Sequence, residues 1–120
     1  MWRMRLLIAY EESHNLYGEV MELVIRELRP QLEIKAVRMA QLETDLERFA
    51  PHMVLSERPN PAYPGARGAW VTHSYEPGEP SQGCLDGRRW ELENPKLEEL
   101  MAIIDETEEL VRTGRAPEGC

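Results

Sequence analysis

The run Leu6-Leu7-Ile8-Ala9-Tyr10 is apolar without interruption and ends at two carboxylates. A compact run of this kind predicts a strand buried on both faces, as in a parallel sheet. Ser13 then stands where a helix cap belongs, and Leu16, Val20, Leu23, Val24 and Leu28 recur at helical spacing, flanked by Tyr17, Met21 and Ile25. Pro30 stops that helix. Leu32 to Arg38 alternates apolar and polar residues with period two, the pattern of a strand with one drier face at a sheet edge. Leu42, Leu46 and Phe49 mark a short amphipathic helix, which Pro51 ends before the buried strand His52-Met53-Val54-Leu55-Ser56.

Strand, helix, strand, helix, strand is the order of a right-handed doubly wound sheet. Beyond it the pattern changes. Pro59, Pro61, Pro64, Gly65 and Gly68 make a full third crossover helix unfavourable. Ala69-Trp70-Val71-Thr72-His73 reads as a fourth strand, and Tyr75 to Gln82, again rich in proline and glycine, leaves the fourth crossover without a helix. Asp86-Gly87 between the strand-like runs of Gly83 to Leu92 is a hairpin signal, because both turn positions favour positive φ. Asn94 caps a last helix opened by Pro95, with Leu97, Leu100, Met101, Ile104, Glu108 and Val111 along one stripe and Arg112 and Arg115 near its negative end. The expected fold is a small three-layer α/β domain over residues 1–113, built on a doubly wound, mainly parallel sheet. Its third and fourth crossover helices are reduced or missing, a hairpin and a helix close it, and residues 114–120 form a flexible tail.

Composition agrees with one globular domain: 120 residues, 42% hydrophobic and 30% charged. The net charge of −8 argues against nucleic acid and anionic membranes as partners of the whole molecule. Dispersed arginines such as Arg3, Arg5, Arg26 and Arg38 read as solvated faces, and so does the acidic stretch from Glu91 to Glu109, whose single base is Lys96. The N-terminal apolar run is too short for a signal peptide or a membrane span. Two cysteines, Cys84 and Cys120, make no disulfide framework, so a reducing cytoplasm is the expected compartment and Cys84 reads as a small buried hydrophobe.

The segments Leu6-Leu7-Ile8-Ala9-Tyr10-Glu11-Glu12 and Pro51-His52-Met53-Val54-Leu55-Ser56-Glu57-Arg58-Pro59 resemble the first and third strands of response-regulator receiver domains, over about residues 4 to 59 with the last helix as a looser match. The resemblance implies a flavodoxin-like fold and a signalling role. It also implies an acidic pair for Mg²⁺ at Glu11 and Glu12, the phosphoryl-acceptor position at Glu57 and the switch hydroxyl at Thr72. Glutamate at the acceptor position is one methylene longer than the family's aspartate, and Leu92-Glu93-Asn94-Pro95 offers no ammonium where the family has its lysine. Phosphorylation in the usual way is therefore not expected. Ile8-Ala9-Tyr10-Glu11-Glu12-Ser13 is similar to the opening of the universal stress proteins, which implies nucleotide binding, but their glycine-rich phosphate loop has no counterpart here.

Ligands of open α/β sheets bind beyond the carboxyl ends of the strands, which puts Glu11, Glu12, His14, Ser56, Glu57, Thr72 and His73 on one rim. Glu11, Glu12 and Glu57 are oxygen donors suited to Mg²⁺. His14, His73 and Glu57 are an alternative Zn²⁺ set without tight ligand spacing, and His52 belongs to the opposite edge. Ser56, His73 and Glu57 contain the residue types of a nucleophile, base and acid, without a nucleophile-elbow motif. Trp70 and Trp90 are candidates for an exposed aromatic patch that binds a protein partner or a second copy, with core filling as the alternative. The function expected first is a non-enzymatic, receiver-like regulatory or protein-interaction module without a resident cofactor. A cation-binding or small-ligand protein or small enzyme using the rim comes second, and a nucleotide binder third.

Overall fold

The computed structural model describes residues 3–57, 69–73, 80–85, 87–92 and 97–114, with nothing stated for the side chain of Leu92. Its elements are β1 (Arg5–Tyr10), α1 (Asn15–Leu28), β2 (Glu33–Arg38), α2 (Leu42–Phe49), β3 (Met53–Ser56), β4 (Ala69–Thr72), β5 (Ser81–Leu85), β6 (Arg88–Leu92) and α3 (Leu97–Arg112). They form one six-stranded sheet of order β2-β1-β3-β4-β5-β6. The first four strands pair in parallel, with Leu6 level with both Ile34 and Met53, and Met53 level with Ala69.

The sheet is mixed rather than mainly parallel: β5 runs antiparallel to β4, and β6 antiparallel to β5. The reason lies in the connections. Residues 73–80 separate β4 from β5, fewer than the dozen or more that a parallel crossover needs, so the chain turns back. The hairpin expected at Gly83 to Leu92 is thus no appendage but extends the main sheet. Leu85 stands opposite Arg88, and Gly87 has the positive φ of 84° that the tight turn asks for. Asp86, the caps Asn94 and Pro95, the loop at 58–68, Arg115 and the tail at 115–120 lie outside the described residues.

Alternation along the strands divides the core. Met4, Leu6, Ile8, Ile34, Met53, Leu55 and Val71 pack on one face with Ile25 of α1 and Leu100, Met101 and Ile104 of α3. Leu7, Ala9, Val37, Val54 and Trp70 point the other way, onto Leu42, Leu46 and Phe49 of α2. The continuous apolar run of β1 is explained by this double burial.

Two local expectations are corrected. Ser13 does not cap α1, since a 3-10 turn over Glu12–His14 precedes the helix and no side chain caps it. More consequential is the rotation of α1. Ile25 and Gly18 face inward, whereas Leu16, Val20 and Leu23, expected on the buried stripe, are 66%, 49% and 65% exposed. The Tyr10 ring lies where a Cβ at position 18 would be, 2.3 Å from it, so the helix approaches the end of β1 only through its glycine face. The apolar arc of α1 is wider than the sheet can cover, and the Tyr10 and Gly18 contact selects which half is buried.

Candidate functional site

The carboxyl ends of β1, β3 and β4 bring Glu11, His14, Ser56, Glu57, Thr72 and His73 to one rim, as strand order and register require. Its centre is Glu57, the residue following β3. The Glu57 side chain is only 7% exposed, and one carboxylate oxygen lies 2.6 Å from His14 Nδ1. The other accepts the backbone N–H of Glu11. A single carboxylate therefore ties the turn after β1 to the end of β3 across 43 to 46 positions of sequence.

Behind Glu57 the strand ends are cross-linked by polar groups. The His73 backbone N–H donates to the Ser56 carbonyl at 2.7 Å, continuing the parallel ladder by one step. Trp70 Nε1 donates to Ser56 Oγ at 2.9 Å on the other face of the sheet, satisfying a buried indole. His73 Nδ1 lies 3.4 Å from Ser81 Oγ, the first residue of β5. Burial pushes the His73 imidazole below its ordinary value of 6.5, against an opposing pull from the Glu57 charge, so the ring is neutral at pH 7.

Glu12 does not join this group. It is exposed and lies 3.6 Å from Arg38 at the end of β2, so its charge is drawn toward the sheet edge rather than toward Glu57. Glu11 meets Glu57 through its main chain. The proposed Mg²⁺ set of Glu11, Glu12 and Glu57 is not gathered, and among the described residues no three His, Cys, Asp or Glu side chains converge as a metal group. His52 sits at the opposite edge, where its Nδ1 accepts the Arg5 N–H at 2.9 Å; burial and then the Arg5 charge lower its pKa.

The two tryptophans do not make one patch. Trp70 is buried in the α2 side of the core. Trp90, half-buried, belongs to the opposite face, where its indole covers Gly83 so closely that a Cβ there would lie 2.3 Å away. Cys84, level with Trp70 across the β4 and β5 pairing, is buried. No described helix is long and apolar enough to cross a membrane.

The contacts that link the strand ends are not legible in the sequence. Ser81, the neighbour of His73, fell inside a segment read only as proline- and glycine-rich, and no spacing signal links it to the fourth strand. Arg38, the partner of Glu12, ends an edge strand and read as a solvated charge. The chain matches no protein-family model, no curated protein and no solved structure.

Proposed function

We propose that this chain is a non-enzymatic regulatory or protein-interaction module on a receiver-like, three-layer frame, whose strand-end rim does not take up a phosphoryl group in the usual way. The observation carrying this reading is the engagement of Glu57. A phosphoryl acceptor needs a carboxylate oxygen open to attack and a cation beside it to offset the charge that develops. Glu57 instead directs one oxygen to an amide and the other to an imidazole, inside a largely buried setting. Such a carboxylate works as a structural tie. The 2-1-3-4 order of the parallel strands matches the first four strands of a flavodoxin-like sheet and supports the frame.

Incubation with acetyl phosphate and Mg²⁺, followed by intact mass measurement, should give no increase. A phosphoryl group mapped to Glu57 or Ser56 would refute the reading.

A second reading, a cation-binding or small-ligand protein or small enzyme, is favoured by one feature: His73 is a neutral imidazole at the rim, and neutral imidazole is the form that ligates metals or accepts protons. Ligands that bind only the folded state raise the melting temperature. A rise with Zn²⁺ or Mn²⁺ that disappears in His73→Ala selects this alternative, and a rise with ATP selects the nucleotide binder. No rise leaves the interaction module in place.

A further inference from the structure

The hairpin that ends the sheet leaves β6 with one strand neighbour, β5. The register says which backbone groups stand on its outer side. Leu85 pairs with Arg88 across a two-residue turn, and the residues that close such a turn exchange their backbone hydrogen bonds. Bonded and non-bonded pairs alternate from there, so Trp90, level with Gly83, also bonds inward. Arg89 and Glu91, level with Cys84 and Gln82, therefore turn their N–H and C=O groups to the outer edge. An outward row of backbone donors and acceptors is a template for another strand.

We propose that β6 is a self-association edge, on which two copies of this chain pair their β6 strands antiparallel about a two-fold axis at Trp90, joining two sheets into one. Three observations select a second copy and this register. The first is charge. Centring the axis on Trp90 sets Arg89 opposite the partner's Glu91 and Glu91 opposite the partner's Arg89. Both side chains are exposed and share one face of the strand, and opposite charges at facing positions attract. Moving the axis one residue either way sets Arg89 on the partner's Arg89, or Glu91 on the partner's Glu91, and like charges there repel.

The second is the backbone. Arg89 and Glu91 are the residues whose amides and carbonyls point outward, so in this register each facing pair exchanges both of its hydrogen bonds. The third is Trp90, half-buried, whose indole leans over Gly83 toward β5 and so clears the line along which a second backbone approaches. Arg88 takes no part, because its guanidinium is held by Glu106 of α3. Arg89 also interacts within its own chain, and the five N–H donors of a guanidinium leave it able to serve a second carboxylate. A two-fold interface requires the same patch to complement itself, as this one does.

The length sets the strength. A five-residue strand is about 17 Å long, so a lone strand pair buries less than the roughly 800 Å² per partner of a standard complex. The dimer is therefore weak and reversible. The inference is independent of the rim reading, since β6 contributes no residue to the rim.

Sedimentation equilibrium of the full chain over a concentration series up to roughly 1 mM is expected to show a monomer–dimer equilibrium. Arg89→Glu and Glu91→Arg should each raise the dissociation constant roughly thirtyfold, because each turns both attractive pairs into repulsive ones. Mixed together they should associate as the native chain does, since the mixture restores opposite charges at both positions. Glu98→Arg, an equal change of charge at an exposed position of α3, should leave the constant unchanged. Amide hydrogen exchange at Arg89 and Glu91 should slow as the concentration rises, and exchange along the β2 edge should not. A native chain monomeric throughout the series overturns the proposal and leaves the edge to a different strand. So does a dimer whose Arg89 and Glu91 amides exchange as in the monomer, or one weakened as much by Glu98→Arg as by Glu91→Arg. A mixture of folded charge variants, checked by circular dichroism, that stays monomeric overturns it as well.

Discussion

Gly18 is the residue on which the orientation of the first helix turns. A glycine inside a helix ordinarily costs about 1 kcal/mol relative to alanine, yet here the missing Cβ is the space occupied by the Tyr10 ring. The contact is with the root of the ring, not its tip, so the tyrosine cannot move aside without leaving the end of β1. Gly18→Ala should therefore lower stability by about 1–2 kcal/mol in chemical denaturation, the overpacking penalty outweighing the propensity gain; a variant as stable as the parent or more so would show that Tyr10 does not set the helix rotation. Glu57 teaches the same lesson for the site. Its position at the end of β3 was legible from the strand pattern, but its pairing with His14 and the Glu11 amide was not, because those partners are 43 and 46 positions away and are brought close only by the pairing of β1 with β3.

Among the elements, those specified by nearby residues were the most legible. The uninterrupted apolar run became β1, the period-two run became the edge strand β2, and the segment ahead of Pro51 became α2. The end of α2 carries an unusual feature: Ala50 has φ 48° and ψ 62°, a left-handed conformation in which a Cβ is unfavourable. Its carbonyl accepts from Arg5 Nε at 2.9 Å, a contact that needs no side chain at position 50. Ala50→Gly is expected to raise the thermal midpoint, equivalent to about 0.5–1 kcal/mol, and a lowered midpoint would mean that the Ala50 methyl contributes packing that exceeds the strain. The direction of β5 was less legible. Local pattern predicts a strand and a hairpin but not which neighbour the strand joins, and here the brevity of residues 73–80 decides it.

At the scale of the molecule, the chain is held by ties between distant segments. The Arg29 guanidinium spans both Asp105 oxygens at 2.7 and 2.8 Å, Gln31 donates to Glu108 at 3.2 Å, and Arg88 pairs with Glu106, so α3 is fastened to the end of α1 and to the hairpin. Lys35 meets Asp45 at 2.6 Å and joins β2 to α2 on the other side. Two imidazoles give the whole fold a pH dependence. Unfolded, His52 and His73 titrate near 6.5; folded, burial holds both lower. Between those values the unfolded chain binds more protons, so stability falls as the pH drops below 6.5 and recovers as it rises through the same window. Melting temperatures across that range should show this slope, and His73→Asn should flatten it; an unchanged slope would mean that His73 is not held neutral. The sequence by itself determined the kind and order of the described elements, because helix and strand periods, proline stops and the turn at Gly87 act between neighbours. Tertiary structure alone decided which half of the α1 arc faces water, how β5 and β6 join the sheet, and what occupies the Glu57 carboxylate. Each of these is a competition among contacts between residues far apart in the chain, and no local pattern records its outcome.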